Sequence, residues 1–142
     1  MSLASVAVRT SNLTINQASL ELRTTAAVKA RVLETSIIQA TGTAQSIGFG
    51  RPAAIGVTPG TTSTFQRDDT ADPACVTTVA ATWGTSPTAP TTYHRRWNSA
   101  ATIGVGIVWT FPRGVIVPVS ASVVVFNITA AVACDVNMAI DE

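Results

Sequence analysis

Charge is what this chain has least of. Only 12% of its 142 residues are charged, Lys29 is the sole lysine and His94 the sole histidine. Nine basic and eight acidic residues leave a formal charge of +1. That supplies no large field, so neither nucleic acid nor a membrane surface is an expected partner. Catalytic raw material is equally thin. No Gly-x-Ser-x-Gly elbow or comparable motif accompanies the single histidine, so no nucleophile, base and orienting carboxylate can be named, and no catalytic residue is expected. Two cysteines, Cys75 and Cys134, are too few for a structural zinc site, and no metal or cofactor is expected. The uncharged segment Gly114 to Ala133 is broken by Pro118, Ser120, Ser122 and Asn127, so it reads as strands and turns rather than a membrane span. The N-terminus, Met1-Ser2-Leu3-Ala4-Ser5-Val6, has no basic region followed by an apolar core. No secretory signal is read there, so the sequons Asn12-Leu13-Thr14 and Asn127-Ile128-Thr129 are taken as coincidence.

What is present is Thr, Ala, Val and Ser. Side chains branched at Cβ lose rotamer freedom in helices and pack well on a pleated surface, so this bias favours an all-β domain. A chain of this length buries roughly 70% of its unfolded surface, enough for one self-standing core. The clearest strand is Ile103 to Phe111, with Ile103, Val105, Ile107, Trp109 and Phe111 on one face and Gly104, Gly106, Val108 and Thr110 on the other. Cys134 to Ile140 alternates as cleanly, with Cys134, Val136, Met138 and Ile140 on one face. Ala4 to Thr10, Leu20 and Leu22, Thr61 to Phe65, Cys75 to Trp83, Tyr93 to Trp97, Val115 to Val117 and Ser122 to Ile128 add further candidates, and Leu13 and Ile15 repeat the two-residue spacing. Ala26 to Ala40 could also wind into a helix, but Thr35-Ser36-Ile37-Ile38 is poor helix material and strand is preferred.

Gly42 to Gly60 is punctuated by Gly48, Gly50, Pro52, Gly56 and Pro59, and is expected to be an irregular connection. Arg67 to Pro73 reads as an exposed polar loop, and Pro112-Arg113-Gly114 as a turn between strands. The organisation expected is an N-terminal strand or arm over residues 1–12 and a single β-sandwich domain over 13–142. About eight short strands joined by loops of uneven length make this an antiparallel two-sheet sandwich, with the jelly roll as the preferred variant.

His94 lies in Tyr93-His94-Arg95-Arg96-Trp97, where two guanidinium groups disfavour its charged form; the plainer reading is a strand-edge histidine without a catalytic partner. Asp68, Asp69 and Asp72 match no EF-hand spacing and read as a solvated loop. Cys134 reads as a buried thiol, and a disulfide to Cys75 cannot be deduced from sequence. Trp109 reads as core, whereas Trp83 and Trp97 adjoin loops and could equally be binding surface. Arginine and aromatic side chains anchor protein interfaces, which makes Arg95, Arg96, Trp97 and Arg113 the leading candidates for subunit contact.

The run from Ala101 to Gly114 (Ala-Thr-Ile-Gly-Val-Gly-Ile-Val-Trp-Thr-Phe-Pro-Arg-Gly), followed by Val115-Ile116-Val117-Pro118 and Ser122-Val123-Val124-Val125-Phe126-Asn127-Ile128, resembles small β-rich proteins encoded among the virion structural genes of tailed bacteriophages. Arg31-Val32-Leu33-Glu34 and Phe49 to Val57 are similar to the same group. The resemblance implies a capsid decoration, or cement, protein: a jelly-roll or sandwich module made in the bacterial cytoplasm and carried on the outer capsid surface. Its partners would be the major capsid protein and itself, as a homodimer or homotrimer. Many symmetric copies would make modest contacts strong. An N-terminal arm ordering on a neighbour would add Val6, Val8 and Arg9 to an interface formed by Trp83, Arg95, Arg96, Trp97 and Arg113. The alternative is a tail-fibre or baseplate module using Trp83, Trp97 or Tyr93 to bind host carbohydrate.

Overall fold

The computed structural model describes residues 2–11, 14–130 and 132–142. Asn12 and Leu13, where the sequence places the arm boundary and the first sequon, lie outside them. Thirteen strands and no helix form among the described residues: β1 (Leu3–Arg9), β2 (Gln17–Arg23), β3 (Ala30–Gln39), β4 (Ser46–Gly50), β5 (Val57–Pro59), β6 (Thr62–Thr64), β7 (Gln66–Arg67), β8 (Thr78–Ala80), β9 (Trp83–Thr85), β10 (Tyr93–Asn98), β11 (Gly106–Val117), β12 (Ser122–Asn127) and β13 (Cys134–Asp141). One sheet runs β11-β3-β13-β1-β7, the facing sheet β10-β4-β12-β2-β8-β6, and β5 and β9 form a separate ribbon. Every pairing between strands is antiparallel. The chain is an all-β, antiparallel two-sheet sandwich. Eight of its strands have five or more residues; the five short ones all lie between β4 and β10.

Alternation explains the core. Val136, Met138 and Ile140 of β13, Val6 of β1, and Trp109 and Phe111 of β11 meet Leu20 and Leu22 of β2, Ile47 and Phe49 of β4, and Val123 and Val125 of β12. Successive side chains of a strand point to opposite faces, so one apolar residue in two suffices to fill the space between the sheets. Ala30 to Gln39, ambiguous in sequence, is a ten-residue strand between β11 and β13. The first segment is built into the sandwich, since β1 pairs along its whole length with β13 and at its start with β7.

Three expectations need correction. The region read as an irregular connection contains β4, a fully buried strand between β10 and β12. Its glycines are not turns: a Cβ on Gly48 would stand 2.3 Å from the Tyr93 ring, and one on Gly50 2.9 Å from the Thr92 carbonyl oxygen. They are there for close approach, one of the two reasons a strand carries glycine. The expected turn at Pro112-Arg113-Gly114 is instead a bulge within one twelve-residue strand, β11, whose register with β3 shifts between Thr110 and Val115. Gly114 takes φ +65° there, over the aliphatic stem of Arg31. At the other end the strand begins at Gly106 rather than Ile103, which is 69% exposed.

Candidate functional site

β10 and β11 are the terminal strands of the two sheets, and they lie on the same side of the sandwich. Between them the core is closed by aromatics and arginines. Phe49 packs on Phe111 with ring centroids 5.2 Å apart and on His94 at 6.1 Å. The Arg95 guanidinium, carried by β10, sits 5.4 Å over the ring of Phe111 on β11, so a cation spans the gap between the sheets. Arg96 points away from it, 5.6 Å from the Tyr93 ring. Arg51 reaches across from the end of β4 and donates to the Ile116 carbonyl oxygen at 2.7 Å. Arg113 helps line a shallow hollow of about 330 Å³ with Arg95, Phe111 and Val115; a second of about 300 Å³ lies between Arg51, Tyr93 and His94.

This edge is positively charged without local compensation. The ion pairs among the described residues are Arg9 with Asp135 and Arg23 with Glu21, so Arg51, Arg95, Arg96 and Arg113 have no carboxylate within 4.0 Å. The pKa of His94 lies below its ordinary value, first because burial penalises the charged ring and then because Arg51 and Arg95 are near. The sequence anticipated repulsion from Arg95 and Arg96; the tertiary structure replaces Arg96 with Arg51. Burial also raises the Tyr93 hydroxyl above its usual range, against a smaller opposing pull from Arg96.

The remaining candidates disperse. Val6 is buried and Val8 half-buried against the core, so neither is offered to a partner; a side chain that fills the sandwich cannot also face a neighbour. Arg9 is exposed and held in a two-pronged pair with Asp135, Nη2 donating to Oδ2 at 2.6 Å. Trp97 is half-buried against the core, and Trp109 is core, as expected. Trp83 is pinned by its own Nε1, which donates to Glu21 Oε2 at 2.8 Å. Cys75 and Cys134 are both buried and unbridged, with thiols pushed up by burial. Among the described residues no three His, Cys, Asp or Glu side chains converge as metal ligands. Glu142 accepts hydrogen bonds from the backbone amides of Val76 and Thr77 at 2.9 and 2.8 Å. Asn127, the acceptor of the second sequon, is fully buried.

The two sheets differ in their outer faces. β2, β4 and β12 are buried on both sides because the chain's own excursion between β4 and β10 lies over them. Ala18, Val124 and Phe126 form a second apolar cluster there, with Trp83 and Tyr93 packed on it. The opposite outer face has no such cover. It presents Ser5 and Ala7 of β1, Asn137 and Ala139 of β13, Ser36 and Ile38 of β3, and Val108 and Thr110 of β11. Val108 and Ile38 are 58% and 40% exposed. Leu3 and Ile116 are likewise exposed on it, and Arg9, Arg31, Glu34, Asp135 and Asp141 place charges on the same face.

Arg51 and Glu21 were missed from sequence. Arg51 sits in a stretch read as loop, and Glu21 alternates with Leu20 and Leu22, a pattern that ordinarily puts a carboxylate in water. The alternation of Ile47 and Phe49 was the available signal for β4. No family model matches this chain, and neither a curated protein nor a solved structure is significantly similar to it.

Proposed function

We propose that this protein is a non-enzymatic part of a tailed-phage virion, a decoration protein that binds outside the major capsid protein lattice and stabilises the shell by bridging neighbouring subunits. The observation that carries the reading is the asymmetry of the sandwich: one sheet is roofed by the chain itself, and the other leaves its outer face open, with Leu3, Ile38, Val108 and Ile116 exposed on it beside an arginine edge. Large apolar side chains left exposed on an open sheet face are candidates for protein contact. Arginine beside exposed aliphatic residues adds the usual interface anchors.

The order of the long strands supports the same reading. We take the interleaving of β1, β13, β3 and β11 in one sheet with β2, β12, β4 and β10 in the other as a jelly roll. That architecture recurs in viral capsid proteins, and by itself implies no activity. The sugar-binding alternative needs a free aromatic platform, whereas Trp83, Trp97 and Tyr93 are each half-buried in internal packing.

The deciding experiment is the copy number of this chain in purified virions, by quantitative mass spectrometry against the major capsid protein. A simple integer ratio to the capsid subunit is expected. A count of only a few per particle would move the protein to the tail or a vertex, and absence from the particle would overturn the reading.

A further inference from the structure

Two clusters of like charge stand at opposite edges of the sandwich, with the remaining charges spread between them. Arg51, Arg95, Arg96 and Arg113 gather where β10 and β11 end their sheets. Asp68, Asp69 and Asp72 lie in the loop that leaves β7, the strand at the far end of the β11 sheet. Four strand spacings separate the two edges, roughly 19 Å. Asp68 and Asp69 are exposed, and no cation lies within 4.0 Å of any of the three carboxylates among the described residues. Their loop is held in place from within: Asp68 N donates to the Leu3 carbonyl oxygen, and the Arg67 guanidinium donates to the Asp72 carbonyl oxygen.

We propose that the partner of the arginine edge is a second copy of this chain, which lays its Asp68–Asp72 loop against the hollow between Arg95 and Arg113. The contact is heterologous. Pairing two β10 edges about a two-fold axis would set arginine against arginine, and like charges directly opposed are unfavourable. A head-to-tail contact leaves each copy with one edge satisfied and one open, so it propagates into a ring where the rotation closes and into a chain where it does not. A two-fold homodimer that sets this edge against itself is disfavoured by the same repulsion. The inference rests on the charges of the free chain and goes beyond the shell reading, so either can fail alone.

The test uses two charge-reversed full-length proteins, R95E/R113E and D68K/D69K. All four positions are exposed, but Arg95 also stacks on Phe111, so a native circular dichroism spectrum is checked first, and if R95E/R113E loses it D68K/D69K alone decides. Wild type at low salt shows masses stepping in multiples of 14.7 kDa in sedimentation or light scattering, returning to monomer in high salt. Each variant alone associates about tenfold more weakly or not at all, because the loop and the hollow it would meet now carry the same sign. Mixing the two variants restores association, since each supplies the edge that the other repels. Wild type that stays monomeric at low salt, variants that associate like wild type, or a mixture no better than its components would each overturn the proposal.

Discussion

The indole Nε1 of Trp83 donates to Oε2 of Glu21 at 2.8 Å, and the Glu21 side chain is wholly buried. The same carboxylate accepts the Gly56 amide at 3.1 Å through its other oxygen, with Arg23 Nε 3.8 Å away. One buried anion thus ties the excursion between β4 and β10 to the outer face of β2, and Gly56 is needed because a Cβ there would stand 2.3 Å from Trp83.

Trp83→Phe keeps most of the apolar surface and removes the donor. A buried charged acceptor deprived of a partner costs about 1–3 kcal/mol. The expected outcome in urea unfolding is a lower midpoint with an unchanged slope. An unchanged midpoint would mean that the bond contributes nothing net.

Gly48→Ala drives a methyl into the Tyr93 ring. Overpacking of this kind costs about 1–3 kcal/mol, so melting falls, and shortening the neighbour in a Gly48→Ala/Tyr93→Ala double variant recovers part of the loss. Additive losses in the double-mutant cycle would show that the two positions do not compete for space.

Acid weakens the fold through His94. Its pKa in the folded protein lies below the unfolded value of about 6.5, so below that pH the unfolded chain binds the extra proton first. Stability is therefore intact above the unfolded pKa and declines as pH falls from there toward the folded value. His94→Gln should flatten the pH dependence of the urea midpoint in this window; an unaltered profile would place the titrating group elsewhere.

Both thiols are buried, and burial holds their pKa values above the ordinary thiol range. A thiol reagent at neutral pH should label neither Cys75 nor Cys134 in the native protein and both after denaturation, because the thiolate is the reactive form. Rapid native labelling would contradict the burial.

Deleting residues 2–9 removes β1, which lies between β13 and β7 and carries Ala4 and Val6 into the core. The truncated chain should lose its cooperative unfolding transition. Retained cooperativity would restore the arm reading, in which this segment orders on a neighbour.

The sequence by itself determined the class of the fold and much of its core. Alternation is a local property, so Cys134 to Ile140 and the Trp109 and Phe111 face were legible wherever one strand face meets the core and the other meets water. The signal failed where both faces are covered. β4 read as loop because its glycines look like turns until Tyr93 and Pro90 are laid over them. Glu21 read as a surface carboxylate until Trp83 and Gly56 closed over it. Those covers come from residues tens of positions away in the chain, as does the meeting of Arg51 with His94 and of Arg95 with Phe111. Only the tertiary structure could decide them, because a residue's own pattern says which face it occupies and nothing about what arrives from elsewhere to bury that face.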